Sequence, residues 1–241
     1  MSSENIISQL ADAIGSDALI TDFSEREYFS MDVFDIDQVA DLVFQPRSKN
    51  EISIALKILS ETDYQIIPRG GGMSYTGGYT PSTKRSVIVD TSLLNQILEI
   101  NPEDMYITVE AGCTWKSIYQ ALKPMGMRLP FFGTNSGSMA TVGGGLSNGA
   151  LFFGTGKYGS AADNVLGMEV IIADGTLIKT GQNAFANSKP HHRTYGPDMT
   201  GLFCHDAGSL GIKVQATFPL IYWPKSIDYL SFAYKTLEDS V

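Results

Sequence analysis

The sequence predicts a two-lobed α+β fold: a small α/β lobe, then a larger lobe in which helices lie against an antiparallel sheet. Three observations predict it. Residues 42–90 read as strand, helix, strand, glycine loop, strand, the order of a small parallel unit. Residues 105–222 read instead as hairpins and helices. Finally, the 24 glycines are concentrated in two clusters, near residues 70–78 and 133–159, each flanked by apolar strand-like runs. A flexible linker would spread its glycines; clustering of this kind suggests backbone wrapped around a ligand.

Each element has its own signal. Ser3 to Ile14 reads as an amphipathic helix with Ile6, Ile7, Leu10, Ala13 and Ile14 on one face, ended by Gly15. Thr21 to Asp41 holds Phe23, Tyr28, Phe29 and Phe34 without a clear period, which predicts a packed arm. Leu42-Val-Phe44 is a short strand stopped by Pro46. Ser48 or Asn50 caps a helix running to about Glu61, with Ile52, Ala55, Leu56 and Leu59 facing inward. Gln65 to Pro68 is a strand entering the first glycine cluster, and Ser86 to Asp90 is a buried strand. Gln96 to Ile100 and Tyr106 to Glu110 form a hairpin around the turn Asn101-Pro-Glu-Asp104. Thr114 caps a helix to about Leu122. Val165 to Ala173 and Thr176 to Thr180 form a second hairpin around Asp174-Gly175. Lys213 to Leu220 is a further strand, and Tyr229 to Val241 opens a new apolar segment. The expected division is 1–40 as N-terminal helix and arm, 41–100 and 101–222 as two ligand-binding lobes, and 223–241 as the start of a further domain.

Composition excludes several classes. The formal net charge is −9 and no Lys/Arg run occurs, so nucleic acid is not an expected partner. An anionic ligand must therefore be held by local geometry against an unfavourable overall field. Two cysteines, Cys113 and Cys204, make no disulfide framework and read as buried thiols in a reducing compartment. Residues 1–20 carry acids and no continuous apolar stretch, so neither a signal peptide nor a transmembrane segment is expected. The expected location is cytoplasmic.

The first cluster is Pro68-Arg-Gly-Gly-Gly-Met-Ser-Tyr-Thr-Gly-Gly78. Consecutive residues free to take positive φ let successive N–H groups point one way, which makes a nest for anionic oxygens. Ser74 and Thr76 add hydroxyls, and Arg69 is the nearby charge. The ligand this predicts is a phosphate or pyrophosphate. A dinucleotide fingerprint Gly-x-Gly-x-x-Gly is excluded, because its last position falls on Tyr75 counted from Gly70 and on Asn148 counted from Gly143. A P-loop is excluded because Gly149 to Gly154 is followed by Thr155 where lysine is needed.

The second cluster is Gly133-Thr-Asn-Ser-Gly-Ser-Met-Ala-Thr-Val-Gly-Gly-Gly-Leu-Ser-Asn-Gly149, followed by Gly154-Thr-Gly-Lys-Tyr-Gly159. Arg-Gly-Gly-Gly-x-Ser-x-x-Gly-Gly, then Ala-Thr-Val-Gly-Gly with Ser-Asn, then Lys-Tyr-Gly, resembles the vanillyl-alcohol oxidase and p-cresol methylhydroxylase (PCMH) type of FAD-binding domain. Val165-Leu-Gly-Met-Glu-Val-Ile-Ile-Ala-Asp-Gly175, Gly196-Pro-Asp-Met-Thr-Gly-Leu-Phe203 and Gly208-Ser-Leu-Gly-Ile212 continue the resemblance in order, over about residues 40–222. The resemblance implies a PCMH-type fold with FAD between its lobes. It implies that Pro68, Arg69, Gly70, Gly71, Gly72, Met73 and Ser74 hold the pyrophosphate. Asn135, Ser136, Ser138, Thr141, Gly144 and Asn148 would line the ribityl, phosphate and ring region, and Gly208, Gly211 and Ile212 the adenosine end. Relatives with covalent flavin place a histidine where this chain has Met73, and a cysteine where it has Met139. A thioether forms neither link, so noncovalent FAD is expected.

Other candidates yield less. His191, His192 and His205, with Cys204 and Asp206, lack metal-ligand spacing, so no metal is expected. His205 is read as lying near the adenosine end. Lys157-Tyr158 reads as turn packing, and Trp115, Phe131, Phe132, Phe152 and Phe153 as core. The resemblance implies an FAD-dependent dehydrogenase, nearest to those oxidising 2-hydroxy acids such as D-lactate or glycolate. Alternatives are an aryl alcohol or phenol oxidase and a noncatalytic flavin-binding subunit. Substrate and acid–base groups would come from a C-terminal cap domain, so no catalytic residue is assigned, and the electron acceptor and partner chain stay unidentified.

Overall fold

The computed structural model describes residues 3–33, 37–194 and 196–240. Phe34 of the arm and Val241 of the last segment lie outside the described residues. The N-terminal part runs α1 (Ser3–Ile14), β1 (Leu19–Ile20), α2 (Phe23–Ser30), β2 (Leu42–Phe44), α3 (Lys49–Leu59), β3 (Gln65–Arg69) and β4 (Ser86–Asp90). The second part runs β5 (Ile97–Asn101), β6 (Tyr106–Glu110), α4 (Trp115–Leu122), β7 (Met127–Arg128), α5 (Val142–Asn148), α6 (Thr155–Tyr158), α7 (Ala161–Asn164), β8 (Gly167–Ile171), β9 (Leu177–Lys179), α8 (Met199–Leu202), β10 (Ile212–Pro219) and β11 (Ile221–Tyr222).

The first sheet has the order β1-β2-β4-β3, with β2 and β3 both parallel to β4 and β1 antiparallel at its edge. The expected parallel unit is present. Ser48, not Asn50, caps α3: its hydroxyl accepts the Glu51 N–H, while the Glu51 carboxylate accepts from Arg47 N–H at 2.8 Å. That helix ends at Leu59, two residues before the expected Glu61. The expected inner face of α1 is narrower, because Ala13 is exposed while Ile6 and Leu10 are buried.

The arm is a correction. It contains α2, whose N-cap Asp22 accepts from Glu25 N–H at 3.1 Å. Its apolar residues gave no period because Phe23 and Tyr28 remain exposed. The Asp22-x-x-Glu25 spacing was the available signal.

The second sheet is antiparallel throughout, in the order β5-β6-β10-β8-β9. Both expected hairpins are there. A register shift between Lys213 and Gln215 exchanges the faces of β10. Ile212 and Val214 consequently join Ile171 of β8 in a core with α1, α3 and the first sheet. Beyond the shift, Ala216 and Phe218 join Met168 and Val170 in a second core against Trp115, Ile118 and Leu122 of α4 and Val142 and Leu146 of α5. One strand therefore serves both halves of the molecule.

Polar contacts reinforce that joint. Glu169, facing α3 from β8, is buried and accepts from Lys49 Nζ at 2.6 Å and Lys179 Nζ at 3.0 Å. Burial alone would raise its pKa; the two lysines hold it below the ordinary 4.5. Ser53 of α3 donates to the Gly175 carbonyl in the β8–β9 turn.

Candidate functional site

The site forms where the two glycine clusters meet. After β3 the chain crosses directly over the segment leading into α5. A Cβ on Gly71 would collide with the Met139 carbonyl oxygen, and one on Gly70 with Thr141 Oγ1. Close approach of two backbones thus demands glycine on the first loop. Gly72 takes φ 65°, in the left-handed region. Tyr79 donates its hydroxyl to the Gly72 carbonyl at 2.9 Å and ties the loop's far end to its start. Gly77 N–H donates to Asp32 Oδ2 at 2.9 Å, fixing the loop's outer turn. Thr141 caps α5, its Oγ1 accepting from Gly144 N–H at 3.4 Å.

This arrangement leaves donors free. Among the described residues, the backbone N–H groups of Gly71, Gly72, Met73 and Ser74 donate to no protein acceptor. Four consecutive unpaired amides beside a cleft are a site for a ligand rich in acceptor oxygens. The cleft holds about 290 Å³ and is lined by Gly70, Gly71, Gly72, Met73 and Ser74 from the first cluster and by Ser136, Thr141, Gly144 and Asn148 from the second. A narrow continuation of about 50 Å³ is lined by Pro68, Arg69, Gly208, Gly211 and Ile212, and shares Gly70, Gly144 and Asn148 with the main cleft. Loop, second cluster and closing segment, separated by up to 144 positions in the chain, thus border two adjoining pockets that share lining residues.

Three expected residues sit differently. Asn135 and Ser138 line a separate cleft against α4. Arg69 borders the narrow continuation, yet its guanidinium lies among rings, 4.9 Å from the centre of Phe29, 5.4 Å from Tyr79 and 5.8 Å from Tyr28. It faces Asp90 at 3.6 Å, with both side chains buried. Arg69 therefore anchors the loop's root to α2 and β4. His205 stands at the C-terminal end of α5, where its N–H donates to the Leu146 carbonyl at 2.9 Å. Met73 lines the cleft, whereas Met139 lines the reverse side of the loop with Arg69 and Asp90.

Sequence reasoning missed Tyr79 and the pair Asp206–Lys213. Lys213 borders the narrow continuation and is buried. Burial lowers its pKa, and Asp206, bonded at 2.7 Å, works against that shift. Asp206 also accepts from Gly208 N–H at 2.9 Å, so it shapes the 206–211 loop. A lysine between Ile212 and Val214 in an apolar strand, with an aspartate seven residues earlier, was the signal.

Comparison with known proteins agrees with this geometry. A family model described as an FAD binding domain matches residues 40–181. The chain belongs to that family. The matched segment begins before β2 and ends after β9, so it contains both glycine clusters. The D-lactate dehydrogenase [cytochrome] 1, mitochondrial, of Saccharomyces cerevisiae is 28% identical over 83% of this chain and 33% of its own length. The glycolate oxidase subunit GlcD of Bacillus subtilis is 33% identical over 82% of this chain and 40% of its own. The chain thus spans between a third and two fifths of these relatives. A crystal structure of p-cresol methylhydroxylase with substrate bound superposes with a TM-score of 0.78 over 92% of this chain and 44% of that one, at 21% identity. The PCMH-type fold expected from the sequence is the fold observed. No helix among the described residues is long and apolar enough to cross a membrane.

The residues present fit FAD. Its pyrophosphate needs donors at a place no side chain occupies, and the Gly71–Ser74 amides over the glycine cradle supply them.

Proposed function

We propose that this chain is the flavin-binding part of an FAD-dependent oxidoreductase that oxidises a 2-hydroxy acid such as D-lactate or glycolate. The row of four unpaired amides in a family-matched glycine loop carries the reading. The amides of Gly71 to Ser74 would hold the pyrophosphate. Ser136, Thr141 and Asn148 would border the ribityl chain and ring, and Gly208, Gly211 and Ile212 the adenosine. Bound FAD would supply the hydride acceptor, and this chain's residues bind and orient it. With Met73 and Met139 at the positions of covalent attachment, the flavin is held noncovalently. Residues 41–100 and 101–222 act as its two lobes. Residues 223–241, with Tyr229, Leu230, Phe232 and Leu237 exposed, lead towards a cap that contacts substrate. Two buried free thiols fit a reducing, cytoplasmic location.

The test is the visible spectrum of the purified chain before and after acid precipitation. Flavin bands that move into the supernatant support the reading; flavin retained in the pellet overturns noncovalent binding. Failure to take up added FAD overturns the cofactor assignment. For the substrate class, D-lactate or glycolate should bleach the flavin of the full-length gene product anaerobically, and an aryl alcohol should not.

A further inference from the structure

A second cleft, of about 320 Å³, opens on the other side of the 133–138 segment, beneath α4. Its floor is apolar: Ile118, Leu122, Leu129 and Phe131 line it. Among the described residues its charged lining residues are Lys116 and Arg128, and no carboxylate borders it. The Arg128 guanidinium lies over two rings, 5.6 Å from the centre of Phe132 and 5.9 Å from that of Trp223. It forms no ion pair or hydrogen bond among the described residues, and its Nε is enclosed without a partner. In a chain of net charge −9, an unpaired, half-buried arginine over an apolar cavity needs an explanation.

We infer that this cleft binds a small organic carboxylate with an apolar or aromatic body. Its size and its mostly apolar lining with a few fixed polar groups suit one small molecule. A planar guanidinium beside two aromatic rings matches a carboxylate's two oxygens, and Lys116 adds charge of the same sign. The apolar body would replace water against Leu122, Leu129 and Phe131. The cleft shares Thr134 with the flavin cleft but none of the amides of Gly71 to Ser74. The carboxylate is therefore expected to bind whether or not FAD is present.

The chain's two tryptophans, Trp115 in the wall and Trp223 on Arg128, both report on this cleft. Phenylacetate titrated into the purified chain should change tryptophan fluorescence saturably, with and without FAD. The neutral isostere 2-phenylacetamide should bind at least about tenfold more weakly, the loss expected for a charge-assisted bidentate contact. Arg128→Met should remove the preference for the anion, and Arg128→Lys should keep part of it even where Met at this position impairs folding. Equal binding of acid and amide, or no saturable change with either, overturns the inference. A concentration-dependent dimer that abolishes the response also overturns it, because the cleft would then be a contact between copies. A chain that never takes up FAD leaves this experiment fully decisive, so the two assignments fail separately.

Discussion

Lys213 and Asp206 face each other at 2.7 Å, their side chains only 2% and 3% exposed. The pair joins β10 to the loop carrying Gly208 and Gly211. Removing one partner strands a buried charge, which costs about 3–5 kcal/mol. Asp206→Asn should therefore lower stability by that order in urea unfolding and weaken FAD binding. Lys213→Met strands the buried Asp206 carboxylate in the same way and should cost a similar amount.

Glu169 makes stability depend on acid. Its folded pKa lies below the ordinary 4.5, so the unfolded chain binds its proton more readily. The stability it confers is complete above about pH 4.5 and disappears as pH falls through the folded value. Urea midpoints at pH 7 and pH 4 should differ more for the native sequence than for Glu169→Gln. An identical pH difference in the variant would show that the two lysines do not shift this carboxyl.

The glycine loop tolerates no side chain where it crosses the second cluster. Gly71→Ala would force the Met139 carbonyl aside, an overpacking cost of about 1–3 kcal/mol. Much of that cost falls on the geometry of the free amides, so FAD affinity should drop about tenfold or more by flavin fluorescence titration. An unchanged affinity would place the pyrophosphate elsewhere.

The cysteines should be silent in the folded protein. Burial first, and the nearby Glu110 charge second, push the Cys113 thiol up to about 12. Burial also raises Cys204. Ellman's reagent at pH 8 should find no reactive thiol in the native chain and two in guanidinium. One rapidly reacting native thiol would contradict this enclosure.

Local rules reached far in this chain. The β2-α3-β3-β4 unit was legible because Ser48 caps, Leu59 and its partners keep a helical period, and Ser86 to Asp90 is continuously strand-like. The glycine loop was legible as a backbone cradle, although the amides' lack of protein partners needed coordinates to see. What escaped depended on distant parts of the chain. Arg69 looked like a phosphate ligand from its neighbours, but Phe29, forty positions away, and Asp90 claim its guanidinium. Asn135 belongs to a glycine cluster in the sequence, and only folding shows that it lines the cleft against α4. The shift in β10 has no sequence mark that we identify, since its even positions from Ile212 to Phe218 read as one apolar face.

That shift has a mechanical consequence. Ile212 and Val214 place β10 under α3, while Phe218, six positions on, supports α4. The two halves consequently share one strand, which packs into both cores. The gap that receives the cofactor is set when the protein folds, much as a keyway is cut before the key arrives. On its rim Tyr75 and Thr76 stand exposed, and the rate of flavin uptake should follow the mobility of those few residues.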